Sequence, residues 1–251
     1  MPSIVDLAEL SNAVYESGTT SVTVAPLAAA PPMAPPRAGG FQRTAGSVSH
    51  PGPPVLTSRV WNRDRHAFNR AGFFAALYSC GDQRVIAFRG TDDLVDALMD
   101  DVAVSGGILP PQVVAAFTVV SSWGTQGNVF ITGHSLGGAL AILAACHFNR
   151  PGVSFNAPGV ADACMQIAIL ANPIQRVLAA VSRCTNNPRV RNIRIASDPV
   201  SSYFTTGAQA GGHTRTYSGA SCGYNLLCRH GMATCLSAVR ASPPNFLDLS
   251  L

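Results

Sequence analysis

The run Val129-Phe130-Ile131-Thr132-Gly133-His134-Ser135-Leu136-Gly137, continued by Gly138-Ala139-Leu140-Ala141-Ile142-Leu143-Ala144-Ala145, decides how the rest of the chain is read. Val129–Thr132 is a short apolar and β-branched run bounded by glycine, which predicts a buried strand. The residues from Gly137 to Phe148 are small and aliphatic and predict a helix. Ser135 therefore falls on a strand-to-helix turn inside a G-x-S-x-G pattern. The pattern by itself is weak, because an ordinary glycine-rich turn with a capping serine also fits it; its setting gives it weight. On such a turn the serine occupies strained backbone and needs glycine neighbours. Its hydroxyl then projects beyond the carboxyl edge of the sheet, above a helix N-terminus that favours negative charge.

Outward from this turn, strand and helix signals alternate. Phe74–Ser79 and Arg84–Phe88 flank Cys80-Gly81-Asp82-Gln83 and predict a hairpin. Pro110-Pro111 opens a helix through Trp123, Gly152–Asn156 and Val190–Ile195 predict strands, and 161–182 reads as mostly helical with a break at Pro173. Strands separated by helices of this length predict an α/β fold with a mostly parallel sheet flanked by helices. Ile4, Leu7, Ala8, Leu10 and Val14 predict a short helix over 3–16 capped by Ser3. From 18 to 57 the composition turns to Ala, Pro, Gly, Ser and Thr, which predicts a loop or surface extension. The expected organisation is a helix plus Pro/Ala-rich extension over 1–57 and a catalytic domain over 58–251.

A serine hydroxyl becomes a nucleophile only beside a base, and the base needs a carboxylate to orient it. For this kind of turn the chain order is Ser, then acid, then His. Beyond Ser135 the chain has no Glu and only Asp162, Asp198 and Asp248. Asp248 follows every histidine, and Asp162 suits a helix cap. Asp198, just past the strand Val190–Ile195 and before Pro199, lies at the edge where the serine is exposed, and is the chosen acid. His147 sits in the last turn of the helix after Ser135, about 15 Å from the turn. His230 is the preferred base, because thirty-two residues after Asp198 leave room to return to the site; His213 is the alternative. The ring of His134 is expected to point away from the site and pack.

The chain has 251 residues with 47% hydrophobic and 12% charged, enough for one α/β domain with a sizeable core and far from the composition of disorder. No apolar run reaches the ~18 residues of a membrane helix. The net charge of +4 comes from arginines alone, scattered with loose groups at Arg59, Arg63, Arg65, Arg70 and at Arg189, Arg191, Arg194. Neither group has the density or interleaved aromatics of a nucleic-acid interface, so solvated faces are expected and no nucleic-acid partner. The first residues carry Asp6, Glu9 and Glu16 and no base, unlike a secretory leader. A soluble cytoplasmic protein is expected, with leader-independent export as the alternative. The seven cysteines form no CxxC pair, so no metal site is expected. Cys222, Cys228 and Cys235 lie close enough for one disulfide in an oxidising compartment, but reduced thiols are expected.

Five segments in order, IAFRGTDD at 86–93, VFITGHSLGGALAILAA at 129–145, VSFNAPG at 153–159, IRIASDPVSS at 193–202 and RHGMATCL at 229–236, resemble the class 3 (fungal-type) lipases of the α/β-hydrolase superfamily. The resemblance spans about 70–240 and implies an α/β-hydrolase fold. It places Ser135, Asp198 and His230 in the triad and Thr91 in the oxyanion hole, with the N–H of Leu136 as second donor. Where many members carry Trp, this chain has Ala97 within Asp96–Asp100, and its interval from Asp198 to His230 is short for the family. The implied activity is carboxylic-ester hydrolysis through an acyl-enzyme, as a triacylglycerol lipase or esterase, with no cofactor and with a lipid or small ester as substrate. A phospholipase, a serine peptidase and a non-catalytic binding protein on the same scaffold are the rivals. Residues 92–108 put Leu94, Val95, Leu98, Met99 and Val102 on one stripe, with Gly106-Gly107 as a hinge. That segment fits either a lid for a lipid–water interface or a fixed surface helix.

Overall fold

The computed structural model describes residues 1–16, 18–25, 58–68, 72–90, 111–124, 128–160, 187–203 and 213–242. Its elements run α1 (Ile4–Ala13), β1 (Ser21–Val24), β2 (Arg59–Phe68), β3 (Phe74–Cys80), β4 (Gln83–Phe88), α2 (Pro111–Trp123), β5 (Asn128–His134), α3 (Leu136–Phe148), β6 (Gly152–Phe155), β7 (Val190–Ile195), α4 (Pro199–Tyr203), β8 (His213–Tyr217), α5 (Leu226–His230) and α6 (Met232–Ala241). The strands form one eight-stranded sheet in the order β1-β2-β3-β4-β5-β6-β7-β8. The first four pair antiparallel, and β4 to β8 are parallel. The helix expected over 161–182, the 92–108 segment, Thr91, and 26–57 of the expected extension lie outside the described residues.

Strand order equal to chain order has a geometric consequence. Right-handed crossovers that always step the same way along a sheet put their helices on the same face. The crossover helices α2 and α3 share one core cluster with Leu77, Ile86, Phe88, Val129 and Ile131. The alternate residues of the same strands, Ala76, Tyr78, Val85, Ala87 and Phe130, face the other way. That second face has to be covered from elsewhere, and α1 and α6 cover it with Ile4, Leu7, Leu10, Val14, Met232, Cys235 and Val239. The first and last described helices therefore pack on each other and share one core. Among the described residues no helix is long and apolar enough to cross a membrane.

Helix α1 starts where the sequence predicts. The Ser3 hydroxyl accepts from the N–H of Asp6 at 3.0 Å, and the Asp6 carboxylate accepts from the N–H of Ser3 at 2.6 Å, a reciprocal cap. Polar bonds then tie it to the sheet. Asp6 accepts from Trp61 Nε1 at 3.0 Å and pairs with Arg59 at 3.2 Å, and Ser11 Oγ lies 2.8 Å from Thr132 Oγ1 on β5.

Two strands depart from the sequence reading. β1 lies inside the stretch expected to be a loop, and β2 occupies a stretch read only for its arginines. Both lie at the antiparallel end of the sheet, where one buried residue in several suffices: Trp61 is buried in β2 while its neighbours are mostly exposed. Arg63, expected on a solvated face, donates to the carbonyls of Ala13 at 3.2 Å and Glu16 at 2.9 Å, so it satisfies the C-terminal end of α1. With a mostly parallel sheet, helices on both faces, and a serine-bearing turn after the central β5, the protein has the α/β-hydrolase fold.

Candidate active site

Ser135 links β5 to α3 with φ 58° and ψ −129°, the strained conformation the sequence predicts. The glycines on either side permit it. A Cβ on Gly133 would sit 2.2 Å from the carbonyl oxygen of Gly137, and one on Gly137 would sit 2.3 Å from that of Phe88. The N–H of Ser135 donates to the carbonyl of Phe155 at 2.9 Å, which fixes the turn against the end of β6. Leu136 opens α3, so its N–H has no acceptor within the helix.

Asp198 is fully buried after β7 and uses both carboxylate oxygens. Oδ2 accepts from the N–H of Ser201 at 2.7 Å, capping α4. Oδ1 lies 2.7 Å from Nδ1 of His230, which fixes one face of that imidazole. The helix cap and the histidine contact coexist, one on each oxygen. His230, 3% exposed, ends α5. Its Nε2 and the Oγ of Ser135 are both buried without a hydrogen-bond partner among the described residues. Buried polar atoms left open in this way call for an explanation, and reactive atoms awaiting a substrate provide one.

His213, the alternative base, begins β8 and pairs with Arg191 near the start of the parallel β7. It is exposed and lies on the amino side of the sheet, about four residues or 13 Å along the strands from the edge that carries Asp198. His147 stacks on Phe117 with ring centroids 4.5 Å apart, at the far end of α3. The structure therefore brings His230, and not His213, to Asp198. Asp162, Asp248 and Thr91 lie outside the described residues.

The ring of His134 is packed, as expected, but it does not point away from the site. Its centroid lies 4.7 Å from that of His230, and its Nε2 is 2.7 Å from the His230 carbonyl oxygen. Burial first, and the neighbouring His230 second, hold its pKa down to about 3, so the ring is neutral. Asn156 is a second residue that the pattern reading did not single out. From a φ of 46° at the end of β6, its Nδ2 donates to the carbonyls of Arg229 and His230, each at 2.9 Å, and its Oδ1 accepts from the N–H of Ile195 at 2.8 Å. One buried amide thus joins the acid-bearing and histidine-bearing segments. Its sequence signal was a polar residue closing a buried strand inside VSFNAPG.

The thiols also differ from expectation. Cys222 and Cys228 form a disulfide just before His230, while Cys80, Cys146 and Cys235 are in thiol form. Burial raises the pKa of the Cys146 thiol to about 12 and lifts that of Cys235 strongly, so neither is a ready nucleophile. Among the described residues no cluster of His, Cys, Asp or Glu is placed to hold a metal.

A family model described as phospholipase-like, the Tle-like phospholipase domain, matches residues 7–226. The chain belongs to this family. The span matched to the Tle-like phospholipase domain takes in α1 from Leu7 onward, the serine turn and Asp198, and ends four residues before His230. An extracellular phospholipase A1 of Serratia liquefaciens is 41% identical over 95 residues, which are 37% of this chain and 29% of that protein. Among solved structures, the lipase of Rhizopus microsporus var. chinensis is 17% identical with a TM-score of 0.38, covering 56% of this chain and 55% of that one. A deletion variant of Rhizomucor miehei lipase with its propeptide is 17% identical with a TM-score of 0.42, covering 75% and 66%. By the family it belongs to, the chain is a phospholipase-like hydrolase domain.

Proposed function

We propose that the protein hydrolyses carboxylic esters of phospholipids, with Ser135 as nucleophile, His230 as general base and Asp198 as the carboxylate that orients it. The observation that carries this reading is the pair of open buried atoms, Ser135 Oγ and His230 Nε2, with Asp198 2.7 Å from the other ring nitrogen. In this mechanism His230 Nε2 takes the Ser135 proton as Oγ bonds to the ester carbonyl carbon. The resulting oxyanion is held by the N–H of Leu136 and by Thr91. Collapse breaks the ester bond, and the imidazolium returns its proton to the departing lysophospholipid alkoxide. Water activated by His230 then releases the fatty acid from the acyl-enzyme.

Membership of a phospholipase-like family and the 41% identity to a phospholipase A1 support phospholipids ahead of the triacylglycerols first expected. The ordered class 3 lipase motifs support the same ester chemistry. The Cys222–Cys228 bond and the extracellular relative support action in an oxidising compartment rather than the cytoplasm.

The test is fatty-acid release from phosphatidylcholine vesicles and, in parallel, from a triolein emulsion, by the wild type and by Ser135→Ala. The expected outcome is release from vesicles that falls by at least about a thousandfold in the variant. Release from triolein alone would make the protein a triacylglycerol lipase, and equal release by Ser135→Ala would overturn the mechanism.

A further inference from the structure

Tyr15, just past the end of α1, reaches the site from a part of the chain remote from every triad residue. Its hydroxyl accepts from the N–H of Gly90 at 3.1 Å and lies 3.0 Å from Nδ1 of His134. His134 Nε2 in turn lies 2.7 Å from the His230 carbonyl oxygen. The chemistry of the partners fixes the direction of every proton. A carbonyl oxygen can only accept, so Nε2 carries the hydrogen, and the neutral ring then has an acceptor at Nδ1. The Tyr15 hydroxyl must therefore donate to Nδ1, which leaves its own oxygen free to accept from Gly90. All three bonds point the same way, from Gly90 through Tyr15 and His134 to His230, an arrangement in which each bond polarises the next.

Each end of this relay is a place where hydrolysis is sensitive to position. Gly90 closes the segment after β4 and precedes Thr91 in the chain. A Cβ there would lie 2.6 Å from the Tyr15 hydroxyl and 2.8 Å from the His134 carbonyl, so the phenol can approach only because the residue is glycine. At the other end, the His230 carbonyl takes its donors from His134 and from Asn156, which holds the main chain that carries the base. Between the two ends stands His134, covalently next to Ser135.

We infer that Tyr15 is a positioning residue for ester hydrolysis: its hydroxyl locks the His134 tautomer and holds the backbone at Gly90 and at His230 in register around Ser135. The inference rests on the proposed roles of Ser135 and His230. Among the described residues neither Ser135 Oγ nor His230 Nε2 takes a hydrogen bond from Tyr15, so its removal leaves those atoms in place and misplaces groups that must be aligned in the transition state.

The experiment uses Tyr15→Phe, which keeps the ring, with the soluble ester p-nitrophenyl butyrate. Live sites are counted by covalent titration of Ser135 with a phosphonate ester. The expected result is a kcat per titrated site about tenfold below wild type, with KM within about twofold. Combined with His134→Phe, the substitution should cost little beyond the effect of His134→Phe alone, because both break one relay. An unchanged kcat per titrated site in Tyr15→Phe would overturn the inference and reduce Tyr15 to packing, and independent, multiplying losses in the double variant would also overturn it. Ser135→Ala is run alongside: wild-type turnover by that variant would remove the reading on which the relay rests, whereas its inactivity beside a fully active Tyr15→Phe would reject the relay alone.

Discussion

His134 is a buried base whose charging the fold opposes. Its pKa lies near 3 in the folded protein against an ordinary 6.5, because burial strips its water and His230 is close by. Between those values the unfolded chain binds a proton here that the folded chain does not. Stability contributed by the neutral ring is therefore complete above about pH 6.5 and is withdrawn as the pH falls toward 3, by about 1.4 kcal/mol per pH unit inside that window. Chemical denaturation at pH 5 and pH 7.5 should show a larger loss for the wild type than for His134→Gln; equal losses would mean that the ring ionises in the fold. At this scale the sequence was informative where chemistry is local. Ser135 sits in a pattern whose backbone demands are visible in its glycines, and chain order left few acids and histidines to choose among. Tyr15 and Asn156 were invisible in their roles, since their partners lie 119 and 74 positions away and a lone tyrosine after a helix carries no spacing signal.

Among the elements, α5 depends on its surroundings rather than on itself. It has five residues, too few for independent stability, and it carries His230. Asn225 caps it through a 2.9 Å bond to the N–H of Cys228, and the Cys222–Cys228 bond closes the loop that leads into it. Closing a loop of about seven residues restrains the unfolded chain by about 2 kcal/mol. Cys222→Ser paired with Cys228→Ser should lose about that much in denaturant unfolding, and a reductant should lower the wild type by the same amount while leaving the variant unmoved. If the reductant has no effect on the wild type, the bond does not contribute. Elements apolar and buried nearly all round, such as β5 and α3, were legible from composition. β1 and β2 were not, because at the antiparallel end they bury few side chains and their residues look like those of a loop.

Across the whole molecule, the uncrossed strand order decides what α1 and α6 must do. With α2 and α3 on one face, the opposite face relies on α1 and α6, and Glu9 and Arg240 form an ion pair between them. Leu10 is fully buried in that layer, so Leu10→Ala should cost about 2–5 kcal/mol, read as a shift in the denaturation midpoint. A cost below 1 kcal/mol would show that α1 only lies on the surface. The sequence predicted α1 as a helix but not its partner, since an apolar stripe does not say which surface it meets. The pairing also bears on how the fold is completed as the chain is synthesised. Each strand can join its predecessor while the ribosome is still extending the chain, but α1 must wait more than two hundred residues for α6. Tyr15 and His230 stand at nearly the same separation. A nascent chain therefore builds most of its sheet before α5 and α6 exist, so Asp198 acquires its histidine partner and α1 its cover only late in synthesis.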